Sequence, residues 1–315
     1  MTGTEPVWIV GDASHNGEVT LGMVLPNSDH MIRESRAYRC SDVPIFTDTL
    51  LAYERDVGVA LRGARFALVV SAPTHGENIF IDRMRWVISR QGLNYLFDRP
   101  IMIVNDVVAT AWGMAASDAK TLHCLSTAER EMFDRKRAGK WIMVLIDEGV
   151  GIATLEVQDN GRLKINDSEA SHLGFAPSGA AGDNFVSSLR GRFPLTWEEV
   201  LTLSSEHVLW REGQGAGPKG PAKWARFVGE FVGDVMVAMC AWNGVILCGS
   251  RSKALFLPDL ERHFFEGLTH KERYSRKLSA ARRLAFPSAD MLSGAVAMLS
   301  HDHGDPIVIP ALPDR

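Results

Sequence analysis

Cysteine is scarce and scattered. The 315 residues hold four, Cys40, Cys124, Cys240 and Cys248, with no CxxC and no companion histidines at finger spacing. This excludes a disulfide framework and a zinc finger and fits a reducing compartment. Blocks of like charge are missing as well: 34 basic against 38 acidic residues leave a net charge of −4. The chain therefore offers no electrostatic footprint for nucleic acid or anionic lipid. The longest apolar stretch, 235–248, is broken by Asn243-Gly244, and residues 1–6 have neither a basic n-region nor an apolar h-region. The expectation is a cytoplasmic protein, neither secreted nor membrane-spanning, whose partner is a small molecule.

What is present is core material. A hydrophobic content of 46%, with 14 Phe, 8 Trp and 4 Tyr, suits two modest cores better than one large one. Segments 7–10, 19–25 and 31–38 read as three strands joined by Asn/Gly/Ser/Asp turns, an antiparallel opening to a sheet. Segment 44–59 repeats Phe46, Leu50, Leu51 and Val57 at helical spacing behind Pro44. Buried strands are predicted at 66–70 and 101–104, the second running into Asn105-Asp106 and the helical segment 107–115. That placement matters, because open α/β sheets put ligands at strand C-termini.

A second strand pair, 141–146 and 151–157, joined by Asp147-Glu148-Gly149-Val150, repeats the form of the opening hairpin. The chain thus reads as pseudo-duplicated, with 117–139 as the linker and a helix starting at Thr127-Ala128-Glu129-Arg130-Glu131. Arg135-Lys136-Arg137 reads as a solvated face. The stretch Gly-Gln-Gly-Ala-Gly-Pro-Lys-Gly at 213–220 lacks the GxxxxGK[ST] order and is a surface loop by composition. Residues 222–242 form the clearest helix, with Trp224, Phe227, Val228, Phe231 and Val235 on one broad apolar face, ended by Asn243-Gly244. A buried strand follows at 245–250, then helix through 254–268.

Three short motifs carry chemistry. Ser168-Glu169-Ala170-Ser171-His172-Leu173-Gly174-Phe175-Ala176-Pro177 sets a carboxylate and an imidazole three residues apart, Asn105-Asp106 ends a strand, and Glu198 lies in Thr196-Trp197-Glu198-Glu199. Taken singly, Asp106 is an ordinary helix N-cap, Glu169 and His172 are loop residues, and Glu198 is a first-turn acid. Together, in this order and with Ser71-Ala72-Pro73, Arg85-Trp86-Val87-Ile88, 244–249 and Leu292-Ser293-Gly294-Ala295, they resemble the sugar site and framework of the bacterial glucokinase family over nearly the whole chain.

The resemblance implies an α/β chain of the two-lobed actin-like ATPase (ribonuclease H-like) fold with an interlobe cleft. One lobe would comprise 1–112 plus 294–315 and the other 113–293. It implies a hexose, glucose first, held by Asn105, Asp106, Glu169, His172 and Glu198. Asp106 would accept the proton of the 6-hydroxyl as general base in an Mg-ATP-dependent phosphorylation at the entry to glycolysis. No tightly bound cofactor is expected, and a homodimer is implied by related proteins.

The nucleotide side departs from that family. Its first turn, GDxGGTN, here reads Gly11-Asp12-Ala13-Ser14-His15-Asn16-Gly17, keeping Asp12 as partner of hydrated magnesium but placing side chains where glycine amides would approach phosphate. Its second, GxGTGLG, reads Ile146-Asp147-Glu148-Gly149-Val150-Gly151, and its third, a glycine run, reads Cys248-Gly249-Ser250-Arg251-Ser252. Two alternatives stand: a hexose kinase with unorthodox phosphate loops, in which His15 or Arg251 supplies charge, or a catalytically impaired sugar-binding or regulatory protein on the same scaffold.

Overall fold

The computed structural model describes residues 6–14, 17–25, 30–43, 45–81, 84, 86–125, 127, 129–188, 195–203, 220–286 and 291–302. His15, Asn16, Arg85 and 213–219 of the glycine-rich loop lie outside these residues. The chain divides into two compact units, Met1–Ala119 with Asp290–Arg315, and Lys120–Ala289.

In the first unit, β1 (Trp8–Ala13), β2 (Glu18–Val24) and β3 (Arg33–Arg39) form an antiparallel meander. Helix α1 (Phe46–Val57) leads to β4 (Arg65–Val70), which pairs parallel with β1. A separate ribbon of β5 (Asn78–Ile81) and β6 (Trp86–Ser89) precedes α2 (Arg90–Phe97). Strand β7 (Met102–Asn105) then adds parallel to β4 and runs directly into α3 (Asp106–Ala116). The sheet order is β3-β2-β1-β4-β7. Every residue of β1 and β4 is buried, as expected of parallel strands covered on both faces. Ile9, Phe66 and Leu68 pack with Phe46, Leu50 and Tyr53 of α1.

The second unit begins with two short strands, β8 (Leu122–Cys124) and β9 (Arg130–Glu131). The hairpin β10 (Gly139–Ile146) and β11 (Val150–Val157) extends to β12 (Leu163–Ser168). After a 3-10 turn at Ala170–His172 come α4 (Gly179–Ser188), α5 (Trp197–Leu201) and α6 (Pro221–Met239). Strand β13 (Gly244–Cys248) pairs parallel with β10. A second 3-10 segment, Arg251–Phe256, leads to α7 (Pro258–Leu268) and α8 (Ser275–Ala280). Strand β14 (Arg282–Phe286) closes the parallel set beside β13. The order is β12-β11-β10-β13-β14-β8-β9. Both sheets therefore share one plan, an antiparallel meander whose first strand continues into two parallel neighbours, and the duplication expected from the two hairpins is present in the topology. The core is aromatic: Trp224, Phe227 and Phe231 of α6 pack with Ile142, Val144, Val245 and Leu247 of the sheet and with Phe264 of α7.

Four local expectations are corrected. Segment 117–139 is not simply a linker, because β8 and β9 complete the seven-stranded sheet by pairing β8 with β14. Arg130 and Glu131, expected in a helix, form β9; the ion pair Arg282–Glu131 is one tertiary contact that overrides the local capping signal. The helix α6 ends at Met239, where Cys240 takes the left-handed conformation and caps the carbonyls of Met236 and Val237, so Asn243-Gly244 opens β13 rather than ending the helix. Asp106 is not an N-cap. Asn105 takes that role, and Asp106 is the first helical residue.

The last helix, α9 (Met291–Asp302), returns to the first unit and packs on α3, β1 and β4. A boundary at 112 would cut α3, which is continuous to Ala116. Gly294 allows the close approach of α9 and α3: a Cβ there would lie 2.0 Å from the carbonyl oxygen of Ala109. Gly294→Ala should force the helices apart and cost about 1–3 kcal/mol, read as a lowered midpoint in denaturant unfolding. An unchanged midpoint would show that the helix pair can separate without penalty.

Candidate functional site: a carboxylate and imidazole cluster beside closed turns

In the first unit the register of the sheet delivers Asn105 and Asp106. Val70 of β4 pairs with Asn105 at the end of β7, and the chain then turns into α3. Asn105 Oδ1 accepts the Val107 amide at 3.0 Å while its Nδ2 donates to the Ala72 carbonyl at 3.4 Å, linking the strand end to the Ser71-Ala72-Pro73 turn. Asp106 Oδ1 accepts the same Val107 amide at 2.7 Å. Its carboxylate sits at a helix start, where the dipole favours negative charge. Both residues are half-buried.

In the second unit the structure brings together Glu169, His172 and Glu198. The 3-10 turn after β12 places His172 Nε2 3.3 Å from Glu169 Oε2, and His172 Nδ1 lies 3.9 Å from Glu198 Oε1. Glu198 reaches this position because α5 is fastened from several sides. Phe175 and Trp197 amides donate to the Leu195 and Leu173 carbonyls at 2.8 and 3.1 Å. The Trp197 ring is buried edge-on against Phe175, and Trp224 Nε1 donates to the Leu201 carbonyl at 3.0 Å. The adjacent acid behaves differently. Glu199 closes a capping box with Thr196, its carboxylate accepting the Thr196 amide at 2.7 Å. Glu198 is thereby left out of the capping box, with its Oε1 facing His172. The side chains of Glu169 and His172 are about half exposed, 52% and 53%, so the cluster can exchange its internal contacts for the hydroxyls of a polyol.

Glu198 has a second partner that its sequence position does not reveal. Its Oε2 accepts the Val150 amide at 2.8 Å, tying α5 to the turn between β10 and β11. At that turn Glu148 is exposed, Asp147 donates its amide to the Gly149 carbonyl, and Gly151 pairs with Leu145 in the ladder. Gly249 stands at φ 93°, with an added Cβ only 2.4 Å from the Ile146 carbonyl oxygen, so it is required by the backbone's own close approach. Gly11 is hemmed by Leu21 and Leu68. Arg251, expected to supply charge to a phosphate, instead donates Nη1 to the Thr202 carbonyl.

Among the described residues of these turns, three backbone amides that could otherwise face an anion are each taken by a carboxylate. Buried Asp12 accepts both the amide and the hydroxyl of Ser14 on Oδ1, at 2.9 and 2.6 Å. Asp147 accepts the amide of Ser250 at 2.6 Å together with its hydroxyl. Glu198 takes the amide of Val150. In each case the acceptor is a carboxylate of the chain itself. Among the described residues, no three His, Cys, Asp or Glu side chains are grouped to hold a metal ion, and no helix is long and apolar enough to cross a membrane.

Comparison with known proteins agrees with the fold. The chain is similar to the glucokinase of Xylella fastidiosa (strain M12), 22% identical over 322 residues that cover 92% of this chain and 94% of that one. It superposes on a glucokinase from an Antarctic psychrotroph with a TM-score of 0.71 and 16% identity, covering 94% and 99% of the two chains. A glucokinase from Balamuthia mandrillaris, solved in complex with glucose, gives a TM-score of 0.69 at 15% identity, covering 92% of each. These likenesses fix the fold as the actin-like α/β fold of the sugar kinases. Residues 16–213 match the glucokinase family model, and with well over half its length matched, this chain belongs to the glucokinase family.

Proposed function

We propose that the protein binds a hexose, glucose in the first instance, through Asn105, Asp106, Glu169, His172 and Glu198. Asp106 serves as general base toward the 6-hydroxyl in a slow, Mg-ATP-dependent phosphorylation that feeds glycolysis in the cytoplasm, with Asp12 as the contact to hydrated magnesium. The observation that carries this is the convergence of His172 between Glu169 and Glu198, at 3.3 and 3.9 Å. A neutral or protonated imidazole flanked by two carboxylates offers both donors and acceptors to adjacent hydroxyls, which fixes a ring's orientation. A homodimer belongs to the same proposal.

One observation favours a second reading, a sugar-binding or regulatory protein without appreciable turnover. The amides of Ser14, Val150 and Ser250 are each given to a carboxylate of the chain, so nucleotide phosphates must compete with fixed negative charge. Calorimetry with glucose and with Mg-ATP, separately and together, tests both. Glucose should bind alone. Mg-ATP should give little heat by itself, and the second reading expects none even with glucose present. Absence of binding by any hexose would sink the proposal.

A further inference from the structure

We infer that Asp147 is an internal anion that closes the turns after β10 and β13 against an outside phosphate, and so sets the affinity for the phosphoryl donor. This rests on the proposed hexose site only for its biological meaning; the contact itself is independent of it.

The contact follows from the register of the sheet. Parallel β10 and β13 pair Leu145 with Cys248, and carrying the same register two residues onward sets Asp147 opposite Ser250. Gly249, in the left-handed region and pressed on the Ile146 carbonyl, folds the second turn back over the end of β10. Ser250 is thereby delivered to Asp147, whose Oδ1 accepts both its amide and its hydroxyl. Ser250 also leads directly into the 3-10 segment Arg251–Phe256, so the contact fixes where that segment begins. The C-terminal edge of neighbouring parallel strands is where an open α/β sheet receives a ligand. Here that edge is already neutralised from within.

The arrangement is not a lone contact. At the end of β1, Asp12 Oδ1 accepts the amide and the hydroxyl of Ser14 in the same two-bond pattern. The two turns differ in construction. Asp12 and Ser14 are two residues apart and form a local turn, whereas Asp147 and Ser250 are 103 residues apart and join separate strands. Only the second pair locks one ligand-bearing turn to another, and only its removal opens a gap between them.

Asp147→Gly, Asp147→Asn and Ser250→Ala separate charge from geometry. Calorimetry with Mg-ATP, with magnesium tripolyphosphate and with adenosine should show that Asp147→Gly binds the first two at least tenfold more tightly than the unmodified protein, with no gain for adenosine. Asp147→Asn, whose amide oxygen still accepts both bonds without the charge, should show an intermediate gain. Ser250→Ala, which keeps the amide donor and the carboxylate, should gain little. Glucose affinity should stay within twofold in all three. In amide NMR spectra the Ser250 resonance should shift upfield in Asp147→Gly. Folded Asp147→Gly with no gain for tripolyphosphate overturns the inference, as does micromolar Mg-ATP binding by the unmodified chain. Should the glycine variant fail to fold, an unchanged tripolyphosphate affinity in Asp147→Asn overturns it equally. Failure of glucose to bind the unmodified protein would strike the hexose proposal and leave the tripolyphosphate result standing.

Discussion

Asp106→Asn is expected to cut any hexose phosphorylation by about a hundredfold to ten-thousandfold, the usual range for loss of a general base, while leaving the fold intact. The distinction rests on local geometry. Asp106 Oδ1 accepts the Val107 amide at the first turn of α3, and an asparagine oxygen can accept the same bond. The N-cap itself is Asn105, so helix initiation does not depend on the substituted residue. What asparagine cannot do is take a proton from a sugar hydroxyl. The loss should fall on kcat, with KM for glucose changing far less. Asp106→Ala removes the hydrogen bonds too and should weaken hexose binding roughly ten- to a hundredfold, about 1.4–2.8 kcal/mol. Glu169→Ala should weaken it to a similar degree, because it also releases His172, which Glu169 holds at 3.3 Å. If calorimetry shows neither alanine variant altering hexose affinity, the five residues are not the sugar site.

The elements that position Asp106 were legible because they are long or strongly patterned. Strands β4 and β7 read as buried apolar runs at 66–70 and 101–104, and the helical segment 107–115 after Asn105-Asp106 is α3. Strands β8, β9 and β14 were not legible. The first two have three and two residues, too short for any period, and β14 reads Arg-Arg-Leu-Ala-Phe, where two arginines mask a strand buried by its neighbours. Those arginines are accounted for only in three dimensions: Arg282 pairs with Glu131, and Arg283 lies over the Phe265 ring.

The candidate site divides in the same way. Glu169 and His172 are three residues apart, and their meeting follows from one turn of chain. Glu198 was recognisable by its place in a motif, but its bond to Val150 spans 48 residues, and the Asp147–Ser250 contact spans 103. No local pattern signals either one. In sequence the departures at the phosphate turns look like three separate losses of glycine. In the structure the Ser14, Val150 and Ser250 amides at these turns are each held by a carboxylate of the chain, from Asp12, Glu198 and Asp147.

That difference governs what restoration can achieve. Glu148→Thr combined with Ser14→Gly and His15→Gly returns the first two turns toward the family pattern and should strengthen Mg-ATP binding and raise any kinase activity. A carboxylate about 5 Å from a phosphate charge, at an effective dielectric near 20, opposes binding by about 3 kcal/mol, which corresponds to about a hundredfold. Removing exposed Glu148 relieves repulsion of this kind. Ser14→Gly removes one of the two donors that hold Asp12 Oδ1, leaving that carboxylate more available to hydrated magnesium. The triple variant nevertheless keeps Asp147 on Ser250, so its gain should be smaller than that of the same variant carrying Asp147→Gly, and the two together should exceed the sum of their separate effects if the turns bind one ligand. Calorimetry with Mg-ATP and a coupled hexokinase assay read both quantities. The unmodified protein should turn over slowly or not at all. A measured turnover on glucose near 10 per second, ordinary for enzymes at large, would mean that a carboxylate-lined turn can cradle a nucleotide as it stands, and the restored variants would then have nothing to restore.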